Sequence, residues 1–179
     1  MPDKVIDLID ENFNKLKPVS KHEAHAVGRL HRTVIAEVRD FTENIILVRQ
    51  APDRQNAKQY VLPVGGHLKA GESIIRAPYR EAPEEVGANA FTPTYNAQLQ
   101  YERQVIGRHE NHLFIIFQAV VDPSHIRLGE ESTDFRSFSF EESKFELGTN
   151  PAIYGASCGA VFNHCYPASR IKSGGAALN

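Results

Sequence analysis

GGHLKAGESIIRAPYREAPEEVGA, residues 65–88, is the stretch whose reading decides the fold of this chain. Counted at 100° per residue, Glu81, Glu84 and Glu85 fall within an arc of about 100°, and Ile75, Tyr79, Ala82 and Val86 cluster about 140° away. One face is therefore expected to be acid and the other core. Three carboxylates this close repel one another by several tenths of a kcal/mol per pair. A hard cation such as Mg²⁺ or Mn²⁺, which prefers oxygen ligands, removes that repulsion. Gly65 and Gly66 precede the acids and permit a close backbone approach that a side chain would block. Glutamate pairs alone would read as a solvated helix face ending in a glycine cap. The glycine turn and the spacing point instead to a metal site.

Pro78 and Pro83 lie inside the expected helix. Each removes a backbone donor and crowds the preceding turn, at about 3 kcal/mol in a helix interior. With Ser73 as the cap, Pro78 stands in the second turn and Pro83 among the glutamates, so a kink or irregular turn is expected there.

Outward from this stretch, 179 residues with 41% hydrophobic content and a net charge of −2 suit one globular domain, residues 1–179, with a substantial core. Basic and acidic residues balance at 20 against 22, which argues against general nucleic-acid binding and against a membrane-surface partner. A small-molecule ligand is expected, and a homodimer stays open. No apolar run approaches the roughly 20 residues that span a bilayer, and residues 1–20 alternate acids with apolars, unlike a basic-start signal peptide. A cytoplasmic protein is expected. Cys158 and Cys165, with neither metal-knuckle nor redox spacing, read as reduced thiols on one helix face.

Residues 1–30 read as an N-terminal β-hairpin extension, strands at 5–9 and 16–19, followed by a short helix with a Ser20…Glu23 capping box that Gly28 ends. Strands are expected at 32–38, 44–49, 60–64, 98–105, 113–121 and 135–140, the last leading toward a helix at Glu141. A polar loop fills 50–59, and 106–112 reads as a polar connection. Residues 152–166 read as a helix weakened by Gly155 and Gly159, and 172–179 as a loose tail. This is an α/β pattern, with strands around one long helix-loop unit.

The residues Gly66, Glu72, Arg80, Glu81, Ala82, Glu84, Glu85, Gly87 and Ala88 fill every fixed position of the Nudix box, with every spacing intact. The chain therefore resembles the Nudix hydrolase superfamily. The resemblance implies a mixed β-sheet sandwiched between helices and a metal-dependent attack of water on a diphosphate linkage. Glu81, Glu84 and Glu85 would hold Mg²⁺ or Mn²⁺, with Glu84 or Glu85 doubling as base, while Glu72 and Arg80 brace loop and helix. Glu131 stands where many Nudix enzymes place a further acid, as ligand or base, and Glu110 is its rival. Arg49, Arg54 and Lys58 read either as contacts to phosphate oxygens or as a solvated basic loop.

A second resemblance lies in EAHAVGRLHR, VGGHLKAGE and HENHLFIIF, which look like the Nudix branch containing isopentenyl-diphosphate isomerase. In that branch the histidines matching His25, His31 and His67 bind a metal and acids complete the site, Glu110 aligning with one acid. Here His112 replaces the second acid, and Gly65 stands where the isomerase carries its catalytic cysteine. The histidines stay open between framework residues and a second metal site. Three functions are carried forward: a pyrophosphohydrolase acting on a nucleoside diphosphate derivative or other organic diphosphate, a diphosphate-binding module impaired by Pro78 and Pro83, and an isoprenoid-diphosphate isomerase.

Overall fold

The computed structural model describes residues 3–87, 91–105 and 107–167. The expected tail at 172–179 and Ala88 of the box lie outside them. Strand β1 (Val5–Ile9) pairs antiparallel with β2 (Lys15–Ser20) as the expected hairpin. Its turn is held by the Asp10 carboxylate, which accepts the N–H groups of Asn12 and Asn14 at 2.9 and 2.8 Å. Helix α1 (Lys21–Ala26) follows, with the Ser20 hydroxyl accepting the Glu23 N–H at 3.0 Å.

Strand β3 (His31–Arg39) is the axis of the sheet. β4 (Ile45–Gln50) and β5 (Tyr60–Val61) form an antiparallel pair beside it, and β6 (Val64–His67) leads into helix α2 (Ala77–Val86). β7 (Thr94–Val105), β8 (Arg108–Val120), β9 (Ser132–Phe138), α3 (Phe140–Thr149) and α4 (Ala156–Cys165) complete the order. β3 runs parallel to β8 and antiparallel to β4 and β6, so the sheet is mixed. Alternation along β3 sends Val34, Ala36 and Val38 to the face where Ala77, Ala82 and Val86 of α2 pack, and Ile35 to the face where Val161 of α4 packs. Burial of both faces is what a strand in a parallel pair requires.

Four expectations change. The strand expected at 60–64 is split by Pro63, which has no N–H to give the ladder: β5 stays with β4, while β6 crosses to β3. One edge of β3 is thereby shared, Thr33–Ala36 with β6 and Val38–Arg39 with β4, which opens a fork in the sheet. The expected polar connection at 106–112 is mostly strand, since β8 begins at Arg108 and pairs from there with β7. The expected helix at 152–166 begins only at Ala156, after a short 3₁₀ turn at Pro151–Ile153.

The fourth change concerns α2. It begins at Ala77 rather than after Ser73, so Pro78 stands in the first turn, where the missing N–H has no intrahelical partner to lose. The helix continues through Pro83, which is exposed, so the disturbed turn faces solvent. The expected core face is also corrected. Ile75 and Tyr79 are 68% and 47% exposed, whereas Glu81 is 3% exposed and buried beside Ala82 and Val86. The acids turn inward, toward the sheet.

Candidate active site

Glycine at position 66 makes that inward turn feasible. A Cβ there would stand 1.9 Å from a carboxylate oxygen of Glu81, so the acid occupies the space a side chain would take. The neighbouring Gly65 donates its N–H to Glu85 at 3.2 Å. Behind them Arg80 donates from Nε and Nη2 to the two Glu72 oxygens at 2.7 and 2.8 Å, and from Nη2 to the His67 carbonyl at 3.3 Å. Glu72 also accepts the Lys69 N–H at 2.9 Å. This bidentate pair ties the loop after β6 to α2 and holds the Glu72 carboxyl below its usual range. Arg80 pairs with Glu81 as well.

Glu81, Glu84, Glu85 and Glu131 line one cavity of about 430 Å³ at the fork of the sheet. Burial, followed by the charges of Glu81 and Glu131, pushes the Glu85 carboxyl up to about 9. Glu81 is raised by burial too, against the pull of Arg80. A cluster of oxygen donors in which a buried member resists ionisation for want of positive charge fits a hard divalent cation by the chemistry of its donors. The same cavity is also lined by Lys4, Lys21 and Arg103, which no motif in the sequence singles out. Their only signal is charge, and charge is common on any surface.

The basic residues expected to meet phosphate, Arg49, Arg54 and Lys58, do not line this cavity. Arg49 is exposed and donates to the Lys58 carbonyl at 3.1 Å, Lys58 is exposed, and Arg54 pairs with Glu131 at 3.2 Å. From the same loop Gln55 and Asn56 reach the cavity.

Strand register assembles the imidazoles. His31 and His112 are partners across the parallel pair β3–β8, His67 is the partner of Thr33 across β3–β6, and His25 comes over from α1. One ring nitrogen from each lies within 4.8 Å of the others. Burial is the largest influence on all four, and it lowers His25 to about 4, His112 to about 2 and both His31 and His67 below their usual value. Sequence reading groups Glu110 with the three histidines and treats His112 as a departure; the geometry reverses this. Glu110 accepts from Arg103 at 2.6 Å, Arg108 at 3.0 Å and Gln55 at 3.1 Å, and lies outside the imidazole group.

The family model described as the NUDIX domain matches residues 29–154. An uncharacterised Nudix hydrolase from Streptomyces coelicolor is 37% identical over 95 residues, covering 50% of this chain and 50% of that protein. An isopentenyl-diphosphate Delta-isomerase from Pectobacterium atrosepticum is 27% identical over 118 residues, covering 64% of this chain and 66% of that protein. The chain thus spans half to about two thirds of the length of these curated relatives. A crystal structure from Deinococcus radiodurans superposes with a TM-score of 0.75 at 16% identity, covering 91% of this chain and 99% of that one, which is a likeness of fold. The matched span runs from Arg29 to Tyr154 and takes in the braced glycine loop and all four acids of the cavity, and the chain belongs to the Nudix family.

Proposed function

We propose that this chain is a divalent-metal-dependent hydrolase of phosphoric anhydride bonds, acting in the cytoplasm as one domain on a nucleoside diphosphate derivative or another organic diphosphate. The observation that carries the proposal is the convergence of Glu81, Glu84, Glu85 and Glu131 on a cavity that Lys4, Lys21 and Arg103 also line. Acids and cations lining one cavity suit a polyanion held both through metal and by direct ion pairs. Glu81, Glu84 and Glu85 would hold Mg²⁺ or Mn²⁺, which when bound supplies Lewis acidity toward phosphoryl oxygens and a lowered water pKa. Lys21 and Arg103 orient the diphosphate. Glu131, more exposed than Glu81 and paired with Arg54, accepts the proton of the attacking water as general base. Glu72 and Arg80 keep the glycine loop in place under Glu81.

The binding-module alternative loses much of its motive, because Pro78 stands in the first turn of α2 and the helix runs through Pro83. The isomerase alternative has sequence similarity on its side. Against it, Gly65 offers no group that can move a proton to or from carbon. The test is phosphate release from a panel of nucleoside and other organic diphosphates with Mg²⁺ and with Mn²⁺. Turnover of at least one compound is expected, and folded protein inert toward all of them in both metals would sink the proposal.

A further inference from the structure

The buried imidazoles face one another in a way that hydrogen bonds alone do not satisfy. His31 Nδ1 lies 2.7 Å from the Arg29 carbonyl, which can only accept, so the His31 proton sits on Nδ1 and Nε2 presents a lone pair. His112 Nδ1 lies 2.7 Å from the Thr33 hydroxyl, leaving its Nε2 as the second ring nitrogen. His25 Nε2 stands 3.3 Å from His31 Nε2 and 3.1 Å from His67 Nε2. With or without a proton, His25 Nε2 cannot form a full hydrogen bond to both. Partners that fix the outer nitrogen and aim the inner one are the usual surroundings of a metal-ligating histidine. A tetrahedron with metal–nitrogen bonds of 2.0–2.1 Å has edges of about 3.3 Å, close to the two spacings at His25 Nε2, in a group whose ligand nitrogens all lie within 4.8 Å of one another.

We infer that His25, His31, His67 and His112 hold one zinc-class ion in a four-nitrogen shell without a carboxylate, and that this ion fastens the N-terminal hairpin and α1 to the sheet. Imidazole suits zinc and its neighbours, whereas Mg²⁺ prefers oxygen. Glu110, the carboxylate that the sequence groups with these histidines, has both oxygens held by Arg103, Arg108 and Gln55. Three ligands stand on sheet strands and the fourth on α1, a six-residue helix too short to be stable alone. Among the described residues the extension otherwise meets the body through one β1–β3 ladder pair, Leu8 with His31, a bridge from Ile6 to Lys69, a few hydrogen bonds, and the packing of Ile9, Phe13 and Leu30 with the main core. An ion bound across that seam contributes its binding free energy to the docking. Lys4 and Lys21 ride on the docked segment and line the cavity, so the ion also keeps these two cations in the cavity lining. The inference uses none of the box glutamates and stands apart from the hydrolase proposal.

The test uses the full chain, stripped with a chelator and titrated with Co²⁺. One equivalent should give the strong visible absorption of four-coordinate cobalt, Zn²⁺ should displace it, Glu110→Gln should leave it unchanged and His112→Ala should abolish it. Hydrogen exchange of β1, β2 and α1 should slow at least tenfold with Zn²⁺ and stay unchanged with Mg²⁺. Weak six-coordinate absorption, its loss in Glu110→Gln, or no binding would overturn the ligand set. Exchange in the extension that Zn²⁺ leaves unaltered would overturn the fastening role. Should His112→Ala fail to fold, the wild-type spectrum and Glu110→Gln still decide the ligand set.

Discussion

Two clusters of metal-type ligands stand in and beside one cavity, and they are built in opposite ways. The carboxylates Glu81, Glu84 and Glu85 come from one turn and a half of a single helix, joined by Glu131 from a loop. The imidazoles come one each from α1, β3, β6 and β8. A cluster carried on one helix exists as soon as the helix forms. A cluster drawn from four elements exists only when the sheet register is correct. The first is therefore easy to see as a pattern and the second easy to lose through a single slip.

The largest expected effect breaks the comparison on the acidic side. Glu85→Gln should reduce turnover by roughly three orders of magnitude or more, because on the proposed reading it removes a metal ligand that would act on charge developing in the transition state. Metal-free stability should hold or rise slightly, since one of several crowded anions is gone, while the stabilisation given by Mg²⁺ shrinks. Parallel kinetics and melting curves check this. A lower metal-free melting temperature with intact activity would make Glu85 a structural residue.

Gly66→Ala sharpens the same side by moving an acid without removing it. Its Cβ would meet Glu81 at 1.9 Å, so Glu81 must swing away. Turnover should drop about a hundredfold, and stability by roughly 1–3 kcal/mol, the usual cost of overpacking. Wild-type activity in this variant would show that the position of Glu81 is unimportant.

The cationic lining separates residues that reach the cavity from those that merely precede the box. Lys21→Ala should raise KM about tenfold, while Arg49→Ala, which alters a side chain turned to the Lys58 carbonyl, should leave KM within about twofold. The reverse ranking would restore the loop at 50–59 as the phosphate contact.

The smallest effect is on pH, and the two clusters should give it opposite signs in chelated protein. Glu85 is raised to about 9 in the fold, so its stabilising contribution is present below its ordinary carboxylate value and is lost as pH climbs toward 9. His25 and His112 are lowered to about 4 and about 2, so their contribution is present above the ordinary imidazole value and is lost as pH falls toward 4 and below. Each slope is at most about 1.4 kcal/mol per pH unit per proton exchanged. Glu85→Gln should flatten the alkaline limb alone, and denaturant titrations from pH 4 to 9 measure both limbs. An alkaline limb that survives the substitution would assign the slope to another group.

Much of this molecule was legible in its residues. The hairpin at the N-terminus followed from alternation around Asp10, which does hold the turn, and α1 from its serine cap. The brace between Glu72 and Arg80 and the need for glycine at 66 followed from the box. Pattern failed where burial was at stake. Periodicity put Ile75 and Tyr79 inside and Glu81 outside, because a helical wheel assumes that carboxylates face water, and here a glycine strand gives them room to turn inward.

Spacing along the chain determined by itself what is carried within one helix or one turn, namely the acid cluster and the serine cap of α1, because residues three and four apart on a helix share a face whatever surrounds them. Only the tertiary structure decided the place of His112 beside the other imidazoles, the exclusion of Glu110 and which cations line the cavity. Pro63 moves β6 onto β3, the parallel register sets His112 beside His31, and two arginines claim Glu110 first. Such placements depend on how strands distant in sequence pair across the sheet, and a one-residue slip in that pairing would send every one of those side chains to the opposite face.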